Sequence, residues 1–143
     1  MNDQVSNHQM IEPTRKRTNY DLEERTLDFG KRVVRLVKVL PKNVVNLELG
    51  KQVVRSGTSV GANYREATEA ESKRDFVHKL RIAKKEVKET TYWIDLIAEA
   101  NPDLEGRLSA SRKESRELLF ILAASIDSAL GKRKKLSNNQ IIK

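Results

Sequence analysis

Arg55-Ser56-Gly57-Thr58-Ser59-Val60-Gly61-Ala62-Asn63-Tyr64-Arg65-Glu66-Ala67 is the stretch that decides how this chain is read. The apolar spacing on both sides calls for a helix through it. Its composition resists one. Gly57 and Gly61 each cost roughly 1 kcal/mol relative to Ala in a helix interior. The hydroxyls of Ser56, Thr58 and Ser59 compete for backbone hydrogen bonds. A helix that keeps these residues needs a small face, and the simplest use of a small face is another helix at short range. A second stripe runs beside it. Arg55, Ser59, Asn63 and Glu66 are spaced four, four and three apart, which puts them on one side. Half-buried polar groups between helices need partners, so this stripe predicts a fixed helix register or a fixed subunit orientation.

Working outward, the flanks divide into helices. Asp21 is placed to cap a first helix over about 21–40, with Glu23 and Glu24 near its positive end. Leu22, Phe29, Val33, Leu36, Val37 and Leu40 supply its apolar face, and Pro41 stops it. Asn43 caps a second helix over about 43–70, in which Val44, Leu47, Val54, Gly57, Gly61 and Tyr64 form an apolar-to-small stripe. Ser72, with Asp75 three residues on, opens a third over about 72–100. Its seam, Phe76, Leu80, Ala83, Val87, Thr90, Ile94 and Ile97, alternates spacings of four and three. Pro102 sits in the first turn of a fourth helix over about 103–130. That helix repeats the pattern with Leu104, Leu108, Ser111, Ser115, Leu118, Leu122, Ser125 and Ala129, and Gly131 is a natural C-cap. Four amphipathic helices with short loops predict an all-α, antiparallel up-down-up-down bundle. Residues 1–20 read as a disordered tail and residues 131–143 as a basic one.

Composition narrows the function by exclusion. At 143 residues the chain suits one domain. It has no cysteine, which removes disulfides, thiolate metal sites and cysteine nucleophiles. It has neither a signal-peptide pattern nor an apolar run long enough to span a membrane, so a cytoplasmic protein without membrane contact is expected. Of its two histidines, His8 lies in the N-terminal tail and His78 lies off the third helix's seam. They do not make a zinc constellation, no Glu-x-x-His pair provides a di-iron site, and no phosphate-binding glycine loop follows a strand. Neither an enzyme nor a cofactor is expected.

The net charge of +8 is unevenly spread. Residues 131–143 carry five basic residues and no acid, residues 1–20 carry +1, and residues 21–130 therefore carry only +2. Two basic stretches stand out in the body. Lys31, Arg32, Arg35, Lys38 and Lys42 lie without an acid between 31 and 42. Lys73, Arg74, Lys79, Arg81, Lys84, Lys85 and Lys88 lie among only two acids between 73 and 88. With Lys132, Arg133, Lys134 and Lys135 of the tail, these are the candidate contacts to RNA or DNA, held through phosphates. The same charges also suit a solvated helix face. Only three Phe, three Tyr and one Trp occur, several at seam positions, which disfavours sequence-specific recognition of single strands. The apolar stripes are wider than one bundle core needs. Leu119, Phe120 and Ile126 on the fourth helix and Ile82 and Trp93 on the third predict self-association. A scaffold for a protein partner is the rival reading.

The opening stretch and its continuation resemble a known family. Arg55, Ser56, Ser59, Val60, Ala62, Asn63, Glu66, Ser72, Asp75 and Phe76 match the pattern Arg-Ser-x-x-Ser-[Ile/Val]-x-Ala-Asn, then Glu, then Ser-x-x-[Asp/Glu]-Phe. Lys85-Glu86-x-x-Glu89-Thr90-x-Tyr92-Trp93 extends it. This is similar to the small four-helix proteins named after the intervening sequences of bacterial 23S ribosomal RNA genes, over about residues 22–130. Many of those have Gly soon after the Glu, where this chain has Ala67 to Ala70, so a longer second helix is expected. The resemblance implies a non-enzymatic bundle that assembles into a ring, typically a homopentamer. The accessory proteins of diversity-generating retroelements look like distant relatives, and those bind nucleic acid and a reverse transcriptase.

Overall fold

A computed structural model describes residues 22–132. Four helices account for nearly all of them: α1 Leu22–Val39, α2 Val44–Thr68, α3 Lys73–Ala100 and α4 Glu105–Ala129, with a 3₁₀ turn at Pro102–Leu104 before α4. No strand occurs among the described residues. The expected N-cap Asp21 and the N-terminal tail lie outside them, as does the tail beyond Lys132.

The caps work through the expected atoms. Asn43 accepts a hydrogen bond from the Asn46 backbone N–H at 2.9 Å, and Ser72 accepts one from that of Asp75 at 3.0 Å. Gly131 follows α4 with φ of 73°, the left-handed conformation that glycine adopts without a Cβ penalty, and its N–H reaches the Ser128 carbonyl. α2 ends at Thr68, two residues before the expected terminus.

Consecutive helices run antiparallel and pack as neighbours, with α2–α3 the most extensive contact and α1–α4 the sparsest. α1 and α3 occupy one diagonal of the bundle. The α1–α4 seam is bridged by a long side chain: Arg25 reaches Glu114 at 3.2 Å and Glu117 at 2.9 Å. α1–α2 is the opposite case. A Cβ on Gly57 would lie 2.8 Å from Val33 Cγ2, and one on Gly61 would lie 3.3 Å from the Thr26 carbonyl oxygen. The helices meet there nearly backbone to side chain.

The core forms two apolar clusters. One gathers Leu22 and Phe29 with Val60, Leu80, Val87, Leu118 and Leu122; the other gathers Val33 and Leu36 with Val53, Ile94, Ile97 and Leu108. Between them lies a layer of buried hydroxyls: Ser56, Thr90, Ser111 and Ser115. The Ser56 and Thr90 hydroxyls are hydrogen-bonded at 2.9 Å, and Ser115 donates to the Ser111 carbonyl. No buried side-chain polar atom lacks a partner among the described residues.

One expectation about α2 is corrected. Its buried face is Asn46, Gly50, Val53, Ser56, Gly57, Val60 and Ala67. The predicted stripe of Val44, Leu47, Val54, Gly57, Gly61 and Tyr64 is rotated by about one residue. Val44 and Leu47 are 78% and 60% exposed. Two forces set the true rotation. Small residues carry the burial, and they register weakly in hydropathy. Asn46 is also drawn inward. It donates to the Pro41 carbonyl at 2.9 Å and exchanges amide hydrogen bonds with the buried Asn101 at 2.9 and 2.8 Å. That reciprocal pair ties the α1–α2 loop to the end of α3.

Candidate nucleic-acid interface

The cations of α1 follow from its amphipathicity. With Phe29, Val33 and Leu36 turned inward, Lys31, Arg32, Arg35 and Lys38 are left exposed. Arg32 leans towards α4 and donates to the Ala110 carbonyl at 3.5 Å. Lys31, Arg35 and Lys38 join Arg65 of α2 around a shallow groove whose floor includes Leu27, Val34 and Gly61.

The seven cations of α3 separate into groups. Arg74, Arg81, Lys85 and Lys88 are exposed and lie opposite the buried seam. Lys73 is exposed at the helix start, and Lys84 is half-buried. Lys79 is committed elsewhere, since its Nζ lies 2.7 Å from a Glu66 carboxylate oxygen of α2. The hydrogen bond to Glu66 raises the Lys79 pKa. Among the described residues, Lys79 is the only one of the candidate cations on α1 and α3 that forms an ion pair. Six acids are drawn into clamps between and along helices: Glu114 and Glu117 to Arg25, Glu86 and Glu89 to Arg55, Asp95 and Glu105 to Arg112. Lys132 is exposed; Arg133, Lys134 and Lys135 lie outside the described residues.

The structure does not gather these cations on one surface. Because α1 and α3 are diagonal, their solvent faces look in opposed directions. One chain therefore presents two separate basic faces.

The residues of the small and polar stripes are placed on the two flanks of α2. Gly57 and Gly61 face α1, while Ser56 is buried against Thr90. Arg55 pairs with Glu86 at 3.4 Å and with Glu89, both on α3. Its hydrogen bond holds the Glu89 carboxylate below its usual range, aided by one from the Trp93 indole at 3.2 Å. Asn63 donates to Ser59 Oγ and the Ser59 carbonyl within α2, at 3.0 and 2.9 Å. Glu66 receives Lys79 from α3. Sequence reasoning missed the Asn46–Asn101 pair and the Arg112 clamp. A signal for the first existed, because Asn46 continues the Gly50, Val53, Gly57, Val60 spacing back to the start of α2.

Among the described residues no helix is long and apolar enough to cross a membrane, and no group of His, Asp or Glu side chains is placed to hold a metal ion. Comparison with known proteins places the chain. Residues 18–124 match the model of the 23S rRNA-intervening sequence protein family. No curated protein matches the chain. A crystal structure from Bacteroides thetaiotaomicron, described as a protein with unknown function from the S23 ribosomal protein family, is similar at 36% identity with a TM-score of 0.66. The match covers 73% of this chain and 97% of that one. The matched length and the four-helix architecture agree: the chain belongs to the 23S rRNA-intervening sequence protein family.

Proposed function

We propose that this chain is a non-enzymatic, self-assembling helical bundle that binds RNA or DNA through phosphate contacts. One observation carries the reading. Lys31, Arg32, Arg35 and Lys38 of α1 and Arg74, Arg81, Lys85 and Lys88 on the outer side of α3 are exposed and form no ion pair among the described residues, while six acids are held in clamps by Arg25, Arg55 and Arg112. Unpaired Lys and Arg on a rigid face release condensed counterions from a polyanion, which drives binding without reading sequence. Assembly into a ring, of five copies as the family resemblance implies, would repeat both faces and strengthen weak contacts by avidity. Support for self-assembly comes from apolar side chains that the single chain leaves open. Val44, Leu47 and Val54 line a groove with Val37 and Leu40, and Phe120 on α4 is 73% exposed.

A filter-binding titration across salt tests the nucleic-acid reading. The expected result is binding at about 50 mM salt that weakens steeply as salt rises. Absence of binding, or binding indifferent to salt, removes it. Sedimentation at micromolar concentration tests assembly, and a single species near 16.4 kDa would refute it. The same apolar groove favours a second reading, a scaffold for a protein partner with charge serving solubility. A partner that survives nuclease treatment, without co-purifying nucleic acid, supports the scaffold.

A further inference from the structure

The outward face of α3 is an unbroken stripe: Arg74, His78, Arg81, Lys85, Lys88 and Tyr92, spaced four, three, four, three and four apart. It lies opposite the buried seam, and every member is exposed. It contains no acid, and none of its members forms an ion pair among the described residues. At 1.5 Å rise per residue it runs for roughly 27 Å. At its far end stands Tyr92, 56% exposed, the one large aromatic or aliphatic side chain of α3 that the fold leaves open to this degree. The Tyr92 and Trp93 rings pack against each other in a T-shaped pair, with centroids 5.0 Å apart and planes at 69°. Trp93 is itself anchored by its indole N–H to Glu89, which Arg55 holds from α2. A tyrosine ring more than half exposed, one turn beyond Lys88 and two beyond Lys85, is an arrangement that accepts a flat apolar partner beside a phosphate.

We propose that this face holds a single-stranded nucleic acid, with one unpaired base stacked on Tyr92 and the neighbouring phosphates on Lys88, Lys85 and Arg81. The site rests on the nucleic-acid reading above and adds to it a preference for unpaired over paired strands. Every base has a π-face, so stacking on one ring selects single strands without selecting sequence. A duplex keeps its bases stacked on one another and offers only phosphates. The cations alone would bind both forms.

The test uses the full chain, an oligothymidylate, an abasic oligonucleotide of the same length and a closed-circular duplex. Trp93, the only tryptophan, reports from beside the site. Oligothymidylate is expected to bind on the order of tenfold more tightly than the abasic strand, with similar salt slopes, and to change Trp93 emission. Tyr92→Ala should bring oligothymidylate down to the abasic level, and Tyr92→Phe should keep the difference. Tyr92 is exposed, so the helical circular dichroism of both variants should match that of the native chain. Equal, salt-steep binding of the oligothymidylate and the abasic strand by the native chain overturns the stacking site and leaves the phosphate reading standing. An unaltered preference in Tyr92→Ala also overturns it. No binding of any of the three polyanions overturns both.

Discussion

The two flanks of α2 hold their neighbours by different chemistry. Towards α1 the helix offers almost no side chain, and contact is made where Gly57 admits Val33 and Gly61 admits the Thr26 backbone. Towards α3 it offers long polar groups: Arg55 to Glu86 and Glu89, Glu66 to Lys79, with Ser56 and Asn46 buried among them. The glycine flank is short-range and steric, so it tolerates almost nothing. The ionic flank is extended and partly hydrated, so each of its contacts contributes little and yields gradually. One helix can therefore be both intolerant and adaptable, depending on the side from which it is disturbed.

Substitutions should expose that contrast, beginning with the glycine flank. Gly57→Leu puts a branched side chain where even a Cβ is 2.8 Å from stiff Val33, and overpacking should cost about 3 kcal/mol in urea denaturation. An unchanged midpoint would mean that the close contact lies elsewhere. On the other flank the largest effect belongs to its buried end. Asn46→Ala strips the Asn101 amide of its reciprocal partner and should cost about 2 kcal/mol by the same measurement.

The exposed ion pairs should matter less and should depend on pH. Arg55 holds the Glu89 pKa low, so the pair stabilises above the unfolded glutamate value near ~4.3 and loses that contribution as pH falls through the lower, folded value. Both side chains are substantially hydrated, which limits the effect to under about 1 kcal/mol. The difference in melting temperature between the native chain and Glu89→Gln should shrink on acidification and at high salt. A constant difference from neutral pH to pH ~3 would assign the effect to packing. The smallest expected change is a gain. Gly106 opens α4 with nothing within 4 Å of a Cβ, so Gly106→Ala should stabilise by about 0.5 kcal/mol. Two helical glycines would then respond with opposite signs, because only one of them has a neighbour.

Much of the architecture could be read from spacing alone. The α3 seam reappears almost residue for residue in the core, because a heptad of Leu, Val and Ile leaves one rotation available. The caps Asn43 and Ser72 were legible because their side chains act on backbone three residues away. The rotation of α2 was not legible. More than half of its buried face is glycine, serine and asparagine, whose hydropathy is close to that of a surface, and Val44 and Leu47 pulled the reading towards the solvent side. The candidate cations were visible as types and positions. Their division between two opposed faces was not, because it depends on which helices are diagonal. The diversion of Lys79 to Glu66 was equally hidden, since thirteen residues of sequence separate the two.

The hydroxyl layer at mid-height has a consequence for how the molecule comes apart. Each apolar cluster, above and below Ser56, Thr90, Ser111 and Ser115, takes side chains from all four helices. The molecule is thus built in two storeys, and no single helix can leave without opening both. Partial openings should instead separate one storey from the other, with the hydroxyls as the floor between them. Native-state amide exchange would then group protection by height along the bundle, so that the amides of Val53 and Ile94 exchange together and apart from those of Val60 and Val87.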